Sequence, residues 1–196
     1  MKDEEIDLRF KSFLQKLVKE VKYIEGSENH EEAVMNIVKE FGYKYDYQPN
    51  GTQSAPDFDI YLENGSLIEL ECKSSKGYSP MYNSGRPHKD MIYFFSSKKA
   101  GESTLFFGRD IFTDKQRDEF DYAEDKIKEL LFDLTKDWEN SRGFTLGFRR
   151  VYAQKGCSEK TNYFTHKERN KCEQNVLNYE FSKGTGSVLH ESDNSK

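Results

Sequence analysis

Acidic residues and one lysine alternate with apolar residues in two short segments of the chain. The first segment carries Asp57 and Asp59, and the second carries Glu69, Glu71 and Lys73. Charged residues are uncommon in the half-buried strands that such alternation indicates. Carboxylates held close together repel one another unless a cation compensates them, so this pattern favours a site for a divalent metal ion.

The two segments are predicted to form a β-hairpin. Asn64-Gly65 lies between them, and this dipeptide is the strongest short-range signal of a hairpin turn. Side chains alternate between the two faces of a strand, so the charged residues share one face while Phe58, Ile60 and Leu70 point into the core. The spacing therefore gathers the carboxylates and the lysine on one side of the hairpin.

Carboxylate oxygens are hard ligands of the kind that Mg²⁺ prefers, and this ion fills its remaining coordination positions with water and phosphate oxygens. A magnesium ion bound there would polarise a phosphodiester and help to generate the attacking hydroxide. Lys73 would hold the water and offset the charge of the phosphate. The alternative is an exposed ribbon with ion pairs between its strands, which explains the alternation but not the concentration of acids.

The residues Pro56-Asp57, followed after one hairpin by Glu71-Cys72-Lys73, resemble the PD-(D/E)XK nuclease motif. The resemblance implies that Asp57 and Glu71 bind the metal and that Lys73 is the catalytic lysine. It also implies an α/β fold with a restriction-endonuclease-like core, in which helices flank a central mixed sheet that carries the catalytic hairpin. Mg²⁺ is the cofactor that the resemblance implies.

Members of that superfamily often add an acidic residue from the helix that precedes the hairpin. Glu31 lies at the border of the apolar face of a predicted helix and is the candidate for this role, although an acid in a first helical turn can simply complement the helix dipole. His30 lies on the apolar face, where a packed or capping histidine is expected. Asp59 and Glu69 are either secondary metal ligands or solvated strand residues.

The resemblance covers about residues 31–108 and is greatest to the small type II restriction endonucleases. It implies double-stranded DNA as substrate, a homodimer, and a cognate DNA methyltransferase as functional partner. The long loop after the second strand and a later basic segment supply the candidates for DNA contacts, because Arg and Lys are the commonest readers of guanine and phosphate. These candidates are Lys76, Asn83, Arg86, His88, Lys89, Arg149 and Arg150.

Three other functions fit the same residues. A Holliday-junction resolvase or repair nuclease would prefer branched DNA, and a phage-type exonuclease would need a DNA end. A non-catalytic DNA-binding module of the same fold would bind with similar salt dependence and cleave nothing. The presence of Asp57, Glu71 and Lys73 together argues against the last of these.

The composition is that of a folded chain with segregated charge. The 196 residues suffice for one hydrophobic core, and 14% of them are aromatic, which is too many for a disordered protein. The net charge is −5, yet residues 73–99 and 142–171 are rich in Lys and Arg while residues 110–139 are acidic. A basic segment is often only a solvated surface, so the two segments suggest a polyanionic partner without requiring one.

The remaining segments predict the elements that position the hairpin. An apolar stripe over residues 120–138 predicts a long acidic helix, interpreted as facing the core, with dimerisation through it as the alternative. Helical periodicity predicts helices over residues 4–23 and 29–41. Strand periodicity predicts an edge strand over residues 41–48 and buried strands over residues 91–97 and 103–112.

We expect a single nuclease domain over residues 1–181 and a disordered polar tail over residues 182–196. Within the domain, the catalytic core covers about residues 29–112, and a helical and basic region that contacts DNA covers about residues 113–181. Residues 143–153 read as a further strand within that region.

No segment approaches the roughly 20 apolar residues that span a bilayer, and the amino terminus lacks the apolar centre of a signal peptide. A cytoplasmic protein with no membrane partner is therefore expected. Cys72, Cys157 and Cys172 form no C-x-x-C pair. The last two, with His166, match no spacing known for zinc ligands, so ordinary thiols are predicted.

Overall fold

Two amphipathic helices begin the chain and cover one face of a mixed β-sheet. The computed structural model describes residues 2–52, 54–80, 82, 87–136 and 163–184. The helices are α1 (Asp3–Glu20), α2 (Ser27–Glu40), α3 (Gly108–Ile111), α4 (Asp114–Thr135) and α5 (Arg169–Leu177). The strands are β1 (Lys44–Tyr47), β2 (Phe58–Tyr61), β3 (Leu67–Ser75), β4 (Ile92–Ser97) and β5 (Glu102–Phe107), and Tyr163–Thr165 and Phe181–Lys183 form 3-10 helices.

The five strands lie in chain order across the sheet. Neighbouring strands are antiparallel except β3 and β4, which run parallel. The predicted hairpin is confirmed, with Phe58 opposite Leu70 and Asp59 opposite Glu69. Gly65 in its turn has φ +87°, a conformation that glycine adopts without the penalty of a Cβ atom. The fold is therefore α/β, with a mixed open sheet flanked by helices.

The main core lies between this sheet and the first two helices. Phe10 and Phe13 of α1 and Val34 of α2 are fully buried there, against Phe58 and Phe94 of the sheet. Each of these side chains occurs at the spacing that puts it on the inner face of its helix or strand. A second, smaller cluster on the opposite face of the sheet contains Met91, Tyr93, Phe95, Phe106 and Cys172.

A buried relay of hydrogen bonds connects the start of α2 to the sheet and to the end of α1. The Oγ of Ser103 donates to the carbonyl of Val21 (2.6 Å). Because its one proton is used there, the Oγ of Ser103 accepts from the Oγ of Ser96 (2.9 Å). The Oγ of Ser96 must then accept from Nε2 of His30 (2.9 Å), which fixes the neutral tautomer with a proton on Nε2. His30 also stacks on Phe94, and it is the packed histidine that the apolar pattern predicts.

Several predicted boundaries differ from the structure. The apolar run over residues 103–112 is a strand only as far as Phe107, because the N–H groups of Gly108 and Arg109 then bond to the carbonyls of Met91 and Lys89 and start α3. α1 ends at Glu20 and α2 begins at Ser27.

Most of the apolar stripe of α4 is left uncovered by the described part of the chain, although the ring of Phe120 packs edge-on against that of Phe112, with 6.0 Å between ring centres. None of the residues of this helix is buried, and the side chains of Leu130 and Leu134 are 69% and 60% exposed. The interpretation of the stripe as a core-facing surface is therefore wrong for the residues that the structure describes. Amphipathic spacing shows that a helix has an apolar side, but it does not say whether another element covers that side.

The predicted tail begins too early. Ser182 is buried, its N–H and Oγ both donate to the carboxylate of Asp7 (2.7 Å each), and its carbonyl accepts from the side chain of Asn64 (2.7 Å). Phe181 beside it packs on Phe10. Structured residues therefore reach Gly184, whereas residues 137–162, with the strand predicted at residues 143–153, and residues 185–196 lie outside the described residues.

Gly108 is required by a close approach of two backbones. A Cβ atom at this position would lie 1.9 Å from the carbonyl oxygen of His88. We expect Gly108→Ala to lower the free energy of unfolding by at least about 2 kcal/mol, measured by urea denaturation. Gly77→Ala is the matched control, since its Cβ would make only an ordinary contact of 3.5 Å with Ser75. Equal stability of the two variants would contradict the packing described here.

The buried His30 gives the stability a defined dependence on pH. Burial lowers its pKa to about 4 from 6.5, so below pH 6.5 the unfolded chain binds a proton that the folded protein does not. Stability is therefore lost as the pH falls from about 6.5 to about 4. We expect His30→Gln to remove about 2 kcal/mol of the loss between pH 7.5 and pH 5, measured by urea denaturation at both values. Asn36→Gln, on the exposed side of the same helix, should behave as wild type; an unchanged pH dependence for His30→Gln would exclude this role.

Candidate active site

Asp57, Glu71 and Lys73 come together at one end of the hairpin. The register that pairs Phe58 with Leu70 places Asp57, one residue earlier, opposite Glu71. The Oδ2 of Asp57 accepts a hydrogen bond of 2.7 Å from the N–H of Cys72, which fixes its side chain across the hairpin. Lys73, on the same strand face as Glu71, donates from Nζ to Glu71 Oε1. The three residues named by the motif therefore form one contiguous group.

Glu71 is only 7% exposed, and its two oxygens have different surroundings. Oε1 is paired with Lys73, whereas the buried Oε2 has no hydrogen-bond partner among the described residues. A buried carboxylate oxygen without a partner is costly, because the hydration it has lost is not replaced. Such an atom calls for a bound cation, a water or a ligand donor.

Asp57 is poised between its two protonation states. Burial raises the pKa of its carboxyl to about 7, the negative charge of Glu71 adds to this effect, and the N–H of Cys72 opposes it. Glu31 raises the same pKa further, and Lys73 lowers it. The excess of negative charge at this position is therefore only partly balanced by the single lysine.

Glu31 reaches this group from the second turn of α2. Its side chain is buried, and its Oε2 accepts from the hydroxyl of Tyr47 (2.6 Å) and from Nε2 of Gln48 (3.3 Å). The N–H of Gln48 donates to the carbonyl of Asp57 (2.8 Å), so the end of β1 connects the two acids. Sequence reasoning named Glu31 but missed Tyr47 and Gln48, which carried no motif and read only as the end of an edge strand.

A second row of acids lies one step further along the hairpin. Asp46 of β1 pairs with Asp59 of β2, and Asp59 pairs with Glu69 of β3, so three carboxylates occupy adjacent strands. Burial and then the charges of Glu69 and Asp46 raise the pKa of Asp59 to about 6. The Oδ2 of Asp46 accepts from the hydroxyl of Tyr61 (2.8 Å). Asp59 and Glu69 were expected as neighbours, whereas Asp46 was not foreseen because only strand pairing brings it there.

The donor set at Asp57 and Glu71 fits Mg²⁺. Both are carboxylates, one offers an unpaired buried oxygen, and their repulsion would be relieved by a divalent cation. Within the described ranges no three or more His, Cys, Asp or Glu side chains are arranged to hold a metal ion by themselves. Mg²⁺ commonly takes one or two protein carboxylates and completes its shell with water and phosphate oxygens.

The predicted DNA-contacting residues fall into two groups. Lys76, His88 and Lys89 are exposed on either side of the site: Lys76 directly follows β3, and the N–H of His88 donates to the hydroxyl of Tyr93 near the start of β4 (2.8 Å). Lys89 pairs with Asp114 (3.0 Å). The other four, Asn83, Arg86, Arg149 and Arg150, lie outside the described residues.

Cys72 and Cys172 are buried and form no disulfide, and Cys157 lies outside the described residues. Burial raises the pKa of both described thiols. Each helix in the described ranges is too short or too polar to cross a lipid bilayer.

Comparison of the chain with protein-family models, with curated proteins and with solved structures gave no match. The function must therefore be argued from the geometry of the hairpin and its surroundings.

The raised pKa of Asp57 predicts how the metal-free protein responds to pH. The unfolded carboxyl ionises near pH 3.8 and the folded one near pH 7, so stability falls as the pH rises through this window. We expect Asp57→Asn to be more stable than wild type in EDTA at pH 8, with an advantage on the order of 2 kcal/mol larger than at pH 5, measured by urea denaturation. Asn can still accept the hydrogen bond of Cys72.

The control for this prediction is Asp118→Asn, a change of the same type at an exposed position on α4. The account of Asp57 would be refuted by an advantage that is the same at pH 5 and pH 8.

Proposed function

We propose that the protein is a Mg²⁺-dependent, sequence-specific endonuclease of double-stranded DNA, built on a PD-(D/E)XK core and acting as a type II restriction enzyme. The observation that carries the proposal is the pairing of Asp57 with Glu71 across the hairpin, with Lys73 bound to Glu71 and one oxygen of Glu71 left unpaired. Two acids that can hold a metal ion, beside a lysine that can orient water, are groups able to hydrolyse a phosphodiester.

The architecture around the hairpin supports this core. A helix precedes the hairpin and delivers Glu31, β1 lies along one edge of the hairpin, and β4 continues the sheet in parallel beside β3. Helices flank the sheet, as the resemblance implies. The comparisons supply no relative, so the PD-(D/E)XK assignment depends on the motif and on this order of elements.

The roles of the three residues follow from their contacts. Asp57 and Glu71 would hold Mg²⁺, which when bound supplies positive charge to polarise the scissile phosphate and to activate water. The side chain of Lys73 is 24% exposed beside Asp57 and Glu71, and its ammonium can there orient a water and face a phosphate oxygen. Tyr47 and Gln48 hold Glu31 in place, so its carboxylate would stay beside Asp57. Water is the nucleophile, and the 3′ oxygen or the 5′ oxygen of the cut bond leaves.

DNA would lie across the end of the sheet that exposes Lys73. Lys76 on one side and His88 and Lys89 on the other would contact phosphates or base edges, and Asn83, Arg86, Arg149 and Arg150 are proposed to complete the interface. A homodimer, a cognate DNA methyltransferase and a cytoplasmic location belong to the same proposal. The homodimer follows from the need to cut both strands of a palindrome, and the methyltransferase from the need to protect the host DNA.

A cleavage assay tests the proposal directly. Supercoiled plasmid, linear duplex and a four-way junction are incubated with the purified protein in Mg²⁺ or in EDTA and separated by electrophoresis. Discrete bands from the plasmid that require Mg²⁺ would support a site-specific endonuclease. Preference for the junction would favour a resolvase, and digestion of the linear duplex alone would favour an exonuclease. No cleavage of any substrate would contradict the proposal.

The three motif residues should be required for cleavage and not for folding. We expect Asp57→Asn, Glu71→Gln and Lys73→Ala each to reduce the rate of Mg²⁺-dependent cleavage by at least about a hundred-fold, because each removes a contact to the metal, the water or the phosphate. The rate is measured under single-turnover conditions, and circular dichroism checks the fold. Asp118→Asn, which changes one exposed acid on α4, should cleave at the wild-type rate. Cleavage by all three motif variants at that rate would overturn the mechanism.

A further inference from the structure

Three lysines gather where the parallel strands β3 and β4 end. Ser75 and Ser97 are the last paired residues of these strands, and Lys76 and Lys98 follow them directly. Neighbouring strands are about 4.8 Å apart, so the two backbones remain adjacent at this point. Lys99 comes next in the turn to β5, and all three side chains are exposed. We call Lys76, Lys98 and Lys99 the lysine edge.

The backbone that carries the lysine edge is fixed by several hydrogen bonds. The N–H of Lys98 donates to the carbonyl of Ser75 (2.9 Å), and the Oγ of Ser97 donates to the carbonyl of Gly77 (2.6 Å). The N–H of Gly101, which has φ +68°, closes the turn on the carbonyl of Ser97 (3.0 Å). A ligand that binds here would therefore not have to order a loose loop.

Two tyrosine rings support the ammonium groups. Nζ of Lys99 lies 4.7 Å from the centre of the ring of Tyr78, and Nζ of Lys98 lies 5.7 Å from that of Tyr23. A cation over a ring face is attracted to it but keeps its N–H donors, so it can still bind an anion. The rings thus hold the lysines in place without neutralising them.

The charge of the lysine edge is incompletely balanced. In the part of the chain that the structure describes, its one ion pair joins Lys76 to Glu25 (2.8 Å), and both partners are about 70% exposed. Glu25 also interacts with Lys98 over a longer distance. An exposed ion pair of this kind is weak and exchanges readily for a stronger anion. By contrast, Lys89 near the start of β4 is paired with Asp114 at the beginning of the acidic helix α4.

The position of the lysine edge relates it to the candidate active site. Lys76 lies three residues beyond Lys73 on the same chain, which corresponds to about 10 Å along a strand. Phosphates of one DNA strand advance about 3.4 Å per nucleotide along the duplex axis, so this distance corresponds to about three nucleotides. Residues three apart leave a strand on opposite sides, and Lys76 and Lys98 contact Glu25 and Tyr23 of the α1–α2 connection. A duplex whose cut bond faces Lys73 would therefore present a backbone phosphate to the lysine edge by passing over the end of the sheet.

We propose that the lysine edge, supported by Tyr23 and Tyr78, binds the phosphate backbone of duplex DNA about three nucleotides from the bond that is cut. This inference rests on the proposed nuclease function for the position of the cut bond, but the binding itself does not require cleavage. Lysines supply charge and no base-specific pattern in this arrangement, so the contact contributes sequence-independent affinity and fixes the register of the duplex.

The test measures DNA binding under conditions that prevent cleavage. The triple variant Lys76→Ala/Lys98→Ala/Lys99→Ala and wild type are titrated into a fluorescein-labelled 30-base-pair duplex in EDTA, and anisotropy is followed at several NaCl concentrations. We expect the triple variant to bind about ten-fold or more weakly at low salt. The negative slope of the log association constant against log salt concentration should become less steep by about two to three, one unit for each lost phosphate contact.

Two matched variants separate a local contact from a change in overall charge. Lys126→Ala/Lys128→Ala/Lys136→Ala removes the same charge from α4 and the residue that caps its C-terminus, where each lysine bonds to an acid of this helix, and it should keep the wild-type slope. Replacing the lysine edge by three arginines keeps the charge and should also keep the slope. A wild-type slope for the alanine variant of the lysine edge would overturn the proposal, as would equal losses in both alanine variants.

Cleavage of plasmid by wild-type protein in Mg²⁺, assayed in parallel, keeps the two proposals distinguishable. Cleavage by wild type, together with an unchanged slope in the variant, would remove the lysine edge and leave the nuclease. Salt-dependent binding that the variant loses, without cleavage by wild type, would support the lysine edge and contradict the nuclease. Absence of duplex binding by wild type at any salt concentration would overturn both.

Discussion

The carboxylates of Asp57 and Glu71 face each other across the hairpin at the rim of a packed core, and the surrounding structure must contend with their repulsion. The N–H of Cys72 donates to one oxygen of Asp57, and the ammonium of Lys73 donates to one oxygen of Glu71. These two contacts leave the Oε2 of Glu71 without a partner among the described residues and the pKa of Asp57 at about 7. Negative charge therefore exceeds positive charge at a buried position, which is the condition that a divalent cation relieves.

The acids cannot relieve their repulsion by moving apart, because each is built into a rigid element. β2 and β3 are central strands whose inner faces pack on α1 and α2, and Phe58 and Leu70, which pair across the hairpin, are almost fully buried. The relay from His30 through Ser96 and Ser103 ties the N-terminal part of α2 to β4 and β5, and Glu31 directly follows His30 on this helix. Moving any of these acids would expose apolar surface or break buried hydrogen bonds, so their separation is set by the core.

The parts of the fold that the sequence predicts are those governed by local rules. Asn64-Gly65 and the strict alternation of Phe58 and Ile60 with charged residues define the hairpin, its turn and the face on which Asp57, Glu71 and Lys73 meet. What could not be predicted depends on pairing between distant segments. Asp46, Tyr47 and Gln48 join the site only because β1 adds to the edge of the hairpin, and no spacing in the chain specifies that register.

The same distinction explains the errors at the carboxyl side of the chain. The helix α4 was foreseen because periodicity within a single segment reveals it, but its surroundings were not, since burial depends on what the rest of the chain places beside it. The end of β5 at Phe107 was missed for a similar reason. The helix that replaces the strand begins where Gly108 passes so close to the backbone of His88 that no side chain fits, and this contact lies between residues twenty positions apart.

A net charge of −5 is compatible with a polyanionic partner because the charges are segregated along the sheet. α4 carries eight acidic and four basic side chains, and it begins at Asp114, which pairs with Lys89 near the start of β4. The lysine edge lies at the opposite end of β4, and Lys73 lies between the two ends. A field that changes sign along one strand favours a single orientation of an approaching polyanion, with its charge drawn toward the lysine edge and away from α4. In such a protein, total charge governs solubility, whereas the direction of the field would govern which phosphate of the proposed DNA substrate reaches Lys73.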